Sequence, residues 1–82
     1  IETPYHIDNN CNYSTTAILF LTTCNAKTVL QVKNKEIPVD SVENRLLLFD
    51  SKIKHKVIYH TDVWKRFVIN FNFIRNKNEI YP

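Results

Sequence analysis

Residues 66–73 read RFVINFNF and carry the clearest alternation of apolar and polar positions in the chain. Successive side chains of a β-strand point to opposite faces, so this stretch predicts a strand with two unlike faces. One face is wholly apolar: Phe67, Ile69, Phe71 and Phe73. The other face is mixed: Arg66, Val68, Asn70 and Asn72. An exposed apolar stripe is typical of a contact surface. We therefore expect it to be covered by a missing N-terminal part of the chain or by a partner chain.

The same kind of pattern extends through the rest of the chain. Short runs rich in β-branched and aromatic residues recur every 8–12 residues, and no segment shows a capped helical period. The predicted strands before residue 66 cover residues 5–8, 17–22, 28–32, 36–40, 45–50 and 54–60. About seven strands at this spacing favour an all-β sandwich or barrel. We expect one domain over residues 1–74 and a polar C-terminal tail over residues 75–82.

Composition excludes several classes of protein. The 82 residues are 44% hydrophobic and 23% charged, which is ordinary for a globular domain and argues against disorder. The longest apolar run, residues 17–21, is far shorter than the roughly 20 residues of a membrane-spanning helix. The net charge of +3 is too small to indicate a nucleic-acid partner. The chain has no glycine and ten asparagines, so we expect asparagine to occupy turns that need positive φ.

The two cysteines bear on the cellular location of the protein, and the first residue bears on whether the chain is processed or partial. Cys11 and Cys24 form no CxxC pair, so neither a disulfide scaffold nor a zinc ribbon is indicated. A reducing, cytoplasmic location is the simpler interpretation, and no signal peptide is recognisable. Because the chain begins at Ile1 and contains no methionine, we expect it to be a processed or partial chain.

Three residues form a candidate metal site. On a strand, His6 and Asp8 point to the same face, so they can present an imidazole and a carboxylate together. His55, from a later strand, completes two histidines and one carboxylate, which is the facial triad of non-haem Fe(II) sites. Arg66 is expected to face the same interior, where its guanidinium can bind a buried carboxylate through two parallel hydrogen bonds.

These residues resemble a known family. The order His6-x-Asp8, then His55, then Arg66 after ten intervening residues is similar to that of the Fe(II)- and 2-oxoglutarate-dependent oxygenases. Residues 44–51, read with residues 66–73, are similar to the same stretches in prolyl-hydroxylase-like and phage-encoded members. The resemblance extends over residues 5–74.

The resemblance implies a double-stranded β-helix, or jelly-roll, that carries Fe(II) at its mouth. By this analogy His6, Asp8 and His55 bind the iron, Arg66 pairs with the 5-carboxylate of 2-oxoglutarate, and O2 is the second co-substrate. The products would be succinate, CO2 and a hydroxylated substrate, with a prolyl or other peptidyl side chain preferred over a small molecule. Complete family members also have N-terminal helices and one earlier strand, which we expect to be missing here.

Three features depart from the family pattern. Residues 25–28, NAKT, stand where members usually have a Gly-Gly-x-Thr-like turn. Val68 stands where many members place a serine or threonine that shares the 5-carboxylate. Asn72 stands where the nucleic-acid demethylases carry a second arginine, which disfavours base repair. A non-catalytic cupin-like or lectin-like binding module remains the alternative, and succinate release dependent on 2-oxoglutarate would separate it from an oxygenase.

Overall fold

The computed structural model describes residues 1–8 and 13–74, and these residues form an all-β protein. The predicted fold class is therefore confirmed at the level of secondary structure. The described residues contain six strands rather than about seven. They are β1 (Ser14–Phe20), β2 (Cys24–Val32), β3 (Lys35–Ser41), β4 (Leu46–Asp50), β5 (Lys54–Ile58) and β6 (Val68–Ile74). The predicted tail, residues 75–82, lies outside the described residues. None of the described residues belongs to a helix long and apolar enough to cross a membrane.

The strands form two three-stranded sheets. One sheet has the order β4-β1-β6 and the other has the order β3-β2-β5, and each neighbouring pair is antiparallel. The register of the first sheet places Thr16 between Phe49 and Asn72. The register of the second sheet places Leu30 opposite His55. These alignments decide which side chains meet between the sheets.

The core consists of the apolar side chains that face inward from both sheets. Its buried members are Ile18, Phe20, Leu30 and Phe49, with Val32, Val39, Leu47, Ile53 and Val68 packed against them. Phe20 has no exposed surface. Burying a side chain of this size contributes about 1.5–3 kcal/mol. β1 is the central strand of its sheet and supplies Ile18 and Phe20 to the core.

The first predicted strand, residues 5–8, is not a strand in the structure. Residues 1–8 instead run alongside β5 and make two isolated bridges, Glu2↔Ile58 and His6↔His55. Pro4 lies between these bridges and has no N–H to donate, so a regular ladder cannot form across it. The result is an extended N-terminal segment (residues 1–8) that is attached to β5 at separate points.

Two asparagines occupy turns with positive φ, as the lack of glycine predicted. Lys33 and Asn34 have φ of 51° and 64° and form the two-residue connection between β2 and β3. Positive φ at both central residues is the signature of the hairpin turn that matches the strand twist. Asn44 has φ of 70° just before β4.

The outer face of the β4-β1-β6 sheet is apolar and exposed. The stripe predicted from the alternation is found there: Phe67, Ile69, Phe71 and Phe73 are 58%, 48%, 47% and 42% exposed. Leu46 and Leu48 of β4 lie on the same face and are about as exposed. A contiguous apolar face of this size is typical of an interaction surface.

Candidate metal centre

The structure brings His6, Asp8 and His55 together. The first two lie on the N-terminal segment and the third lies on β5, and their backbones meet at the His6↔His55 bridge. One potential ligand atom from each residue lies within 4.8 Å of the others. Oδ1 of Asp8 is 3.2 Å from Nε2 of His55 and 3.8 Å from Nε2 of His6. The three predicted ligands therefore converge on one point.

The other ring nitrogen of each histidine is already engaged. Nδ1 of His55 lies 3.0 Å from the carbonyl oxygen of Ile53, and Nδ1 of His6 lies 3.3 Å from that of Pro4. A carbonyl oxygen can only accept, so in each contact Nδ1 carries the proton and donates. A neutral imidazole then has a bare lone pair on Nε2, and both Nε2 atoms face Asp8. Backbone contacts of this kind are the ones that orient metal-binding histidines.

This donor set fits a divalent transition metal. Two imidazole nitrogens and one carboxylate oxygen are all lone-pair donors, so bringing them together is favourable when a cation lies among them. Metal–ligand bonds of about 2.1 Å place neighbouring octahedral ligands about 3 Å apart. The His55–Asp8 pair is already near that separation. His6 must approach Asp8 by about 1 Å and His55, whose ligand atom is up to 4.8 Å away, by up to about 2 Å, which its exposed ring leaves room for.

The centre lies at the edge of the core. His55 is 2% exposed and makes an edge-to-face contact with Phe49 at 4.9 Å between ring centroids. The His6 side chain is 47% exposed, whereas that of Asp8 is 14% exposed. One side of the centre is therefore fixed in the core, and the other side opens to solvent beside His6.

Sequence reasoning missed the residues behind Asp8. Thr16 donates a hydrogen bond of 2.6 Å from its hydroxyl to Oδ2 of Asp8. The Thr16 hydroxyl is also 2.9 Å from that of Ser51, which in turn is 2.8 Å from that of Ser14. All three hydroxyl residues are fully buried. A serine or threonine on a strand is not distinctive in a sequence, and only the register of β1 against its neighbours shows this cluster.

Arg66 does not contact the three ligands. It precedes β6, its Nε donates to the hydroxyl of Ser41 at 3.3 Å, and its guanidinium lies 5.8 Å from the ring centroid of Phe20. Phe20 is four residues beyond Thr16 on β1, so the two positions are about 13 Å apart along the strand. Within residues 1–8 and 13–74, no carboxylate forms an ion pair with Arg66. Among these described residues, the terminal nitrogens of the half-buried guanidinium form no hydrogen bond or ion pair, so they could bind an anion.

Comparisons with protein-family models, with curated proteins and with solved structures found no match to this chain.

Proposed function

We propose that this protein is an Fe(II)- and 2-oxoglutarate-dependent dioxygenase that hydroxylates a peptidyl side chain and releases succinate and CO2. The observation that carries the proposal is the convergence of Nε2 of His6, Nε2 of His55 and Oδ1 of Asp8, with both histidines oriented by backbone carbonyls. Two histidines and one carboxylate on one side of a metal are the ligand set of non-haem iron oxygenases.

The arrangement of the chain supports a jelly-roll of the double-stranded β-helix type for this domain. The N-terminal segment carries His6 and Asp8 beside β5, which carries His55. With that segment counted as an irregular seventh strand, the second sheet has the order β3-β2-β5 followed by the segment. Two antiparallel sheets with ligands on neighbouring strands at one end suit a metal site at the mouth of a barrel.

Each residue of the site has a specific role in the proposal. His6, Asp8 and His55 would hold Fe(II) through one atom each and leave three positions of an octahedral ion for 2-oxoglutarate and O2. Bound iron would supply the oxidative chemistry, in which decarboxylation of 2-oxoglutarate is coupled to hydroxylation of the substrate. Arg66 would hold the 5-carboxylate, because its Nε is anchored by Ser41 and its terminal nitrogens have no partner among the described residues.

The surroundings suggest how substrate and partner would bind. The substrate would approach from the exposed side of His6, since Phe49 and the core close the side of His55. A peptide is preferred over a small molecule on the family resemblance. The exposed apolar face of the β4-β1-β6 sheet would be covered by an N-terminal part of the protein or by a partner chain. A reducing cytoplasm would keep the iron as Fe(II).

An anaerobic titration with Fe(II) and 2-oxoglutarate tests the proposal. The parent protein should develop the weak visible charge-transfer band of the metal chelate. His55→Ala should lose the band, because it removes a buried ligand. His60→Ala is the matched control, since it alters the chain's remaining histidine and should leave the band intact. Arg66→Ala should keep metal binding but weaken 2-oxoglutarate binding roughly 10- to 100-fold, the effect of losing charged hydrogen bonds.

The outcomes separate the alternatives. Succinate released only when 2-oxoglutarate and Fe(II) are both present would support the dioxygenase. Metal binding that depends on His55 without any succinate release would favour the non-catalytic cupin-like module. Equal metal binding by the parent and His55→Ala would show that the site assignment is wrong.

A further inference from the structure

We propose that Thr16 is a positioning residue that limits Asp8 to one metal-binding oxygen and so preserves the open coordination positions. This inference deepens the proposed metal centre and rests on it. Asp8 presents Oδ1 to the two histidines, while its other oxygen, Oδ2, accepts the hydrogen bond from Thr16. One oxygen of the carboxylate, Oδ1, therefore faces the proposed metal, and the other, Oδ2, is hydrogen-bonded to Thr16.

A proton count assigns the direction of this hydrogen bond. The Thr16 hydroxyl has one proton and lies 2.6 Å from Oδ2 of Asp8 and 2.7 Å from Oδ1 of Asn72. An ionised carboxylate can only accept and is the stronger acceptor, so it takes the proton. A half-turn of the Asn72 amide then lets its NH2 group donate to the Thr16 oxygen. Both neighbours are satisfied in this arrangement only if Thr16 donates to Asp8.

The hydroxyl groups of Ser51 and Ser14 also favour donation from Thr16 to Asp8. Ser51 can donate to Thr16 across 2.9 Å, and Ser14 can donate to Ser51 across 2.8 Å. Hydrogen bonds aligned in one direction polarise each other, which strengthens the last bond of the chain. The backbone adds a further restraint, because the N–H of Asp8 donates to the carbonyl oxygen of Ser51 at 3.2 Å. Asp8 is therefore held to buried residues of the sandwich by its side chain and by its backbone.

The restraint has a chemical consequence for a metal at this site. A carboxylate can bind a metal through one oxygen or through both, and a second bond would occupy one of the three positions that the ligand set leaves open. The bond from Thr16 competes with that second contact for Oδ2. Outer partners of this kind commonly change metal affinity 10- to 100-fold.

Three variants at two positions test the inference. Thr16→Val removes the hydroxyl with little change in shape, whereas Thr16→Ser retains it. Thr28→Val is the matched control, because Thr28 is equally buried on the adjacent layer and its hydroxyl has no partner among the described residues. The probe is Co(II), titrated against a competing chelator and followed by its visible d–d bands, whose energies and intensities depend on the ligands and geometry of the ion.

We expect Thr16→Val to bind Co(II) 10- to 100-fold more weakly than the parent, because Asp8 is no longer held in place. Its d–d spectrum should also change, because the second oxygen of Asp8 then displaces a bound water. Thr16→Ser and Thr28→Val should match the parent in affinity and in spectrum. The spectrum distinguishes positioning from a merely structural role, since general loosening of the core would weaken binding without changing the ligands of the bound ion.

The controls keep failure of this inference distinct from failure of the metal centre. Asp8→Ala should abolish Co(II) binding, and if it binds like the parent the proposed centre itself is wrong. If Asp8→Ala fails to bind but Thr16→Val matches Thr28→Val in affinity and spectrum, the role of Thr16 is wrong and the centre stands. Should Thr16→Val not fold, Ser51→Ala replaces it, and an unchanged affinity and spectrum in that variant would also overturn the inference.

Discussion

Metal binding should stabilise this protein against heat, and His6→Ala should remove most of that stabilisation. His6 and Asp8 lie on the N-terminal segment, which is attached by two isolated bridges and a few backbone hydrogen bonds, so a metal bound to His55 as well would tie the segment more firmly to the core. A ligand present at 100 times its Kd stabilises the folded state by about 2.7 kcal/mol. For a domain of this size that corresponds to a rise in Tm of about 10–20 °C.

The expected loss in His6→Ala follows from the same relation. Removing one of three ligands should raise Kd at least about 100-fold, the upper end of the effect of losing an outer partner. At an unchanged metal concentration the stabilisation then falls to about 0.4 kcal/mol, or roughly 2–3 °C in Tm. Without metal, His6→Ala should melt close to the parent, because the His6 side chain is nearly half exposed.

Anaerobic calorimetry with Fe(II), or with Mn(II) as an air-stable substitute, measures both quantities. His60→Ala is the control and should keep the full metal-dependent rise in Tm. The reasoning is refuted if His6→Ala shows the same rise as the parent, since the metal would then bind elsewhere. It is equally refuted if metal produces no rise in a parent protein that is shown by titration to bind it.

Three further predictions concern the fold. Lys33→Gly should raise the free energy of unfolding, measured in urea, by about 0.5–1 kcal/mol, because φ at Lys33 is positive and glycine adopts positive φ without strain. The control Lys35→Gly, in β3, should lower it. The hydrogen bond from Tyr5 holds the pKa of Glu36 below its usual 4.5 and raises the pKa of Tyr5 above 10.0. Its stabilisation is therefore lost as pH falls through the lowered value or rises through the raised one. In Tm profiles against pH, Tyr5→Phe should be less stable than the parent only between those limits, and an offset of equal size at all pH values would contradict this assignment. Phe71→Lys, on the exposed apolar face, should reduce binding of a hydrophobic dye and change stability by less than about 1 kcal/mol, whereas a large loss of stability would show that Phe71 belongs to the core.

The alternation of apolar and polar residues predicted a strand correctly where apolar residues mark one of its faces. It missed the part of a strand whose inward-facing residues are polar. β6 was predicted with its two faces correctly separated, because Phe71 and Phe73 contrast with Asn70 and Asn72. The start of β1 was predicted three residues too late. Ser14 at the true start is fully buried among hydroxyl partners, and a search for apolar runs does not recognise a strand of that kind.

The candidate ligands could be predicted because their chemistry is visible in the residue types. Histidine and aspartate two residues apart on an extended segment share a face whether or not that segment is a regular strand. Arg66 was harder to place, since it precedes β6 and its side chain rests on Phe20 and Ser41 rather than beside the ligands. The contact of Thr16 with Asp8 could not be predicted, because it depends on how the N-terminal segment packs beside β1.

The N-terminal segment explains how this site can be both held in place and accessible. His6 and Asp8 point to the candidate metal, whereas Tyr5 and Glu2 contact Lys56, with which Glu2 forms an ion pair of 3.0 Å. Because successive side chains of a strand alternate, His55 and Lys56 of β5 point to opposite faces, so contacts with Lys56 hold the segment without obstructing the ligands. Exposed contacts of this kind are individually weak. A metal at the proposed centre would add a link between the segment and His55, and its affinity would then depend also on residues that never touch the metal.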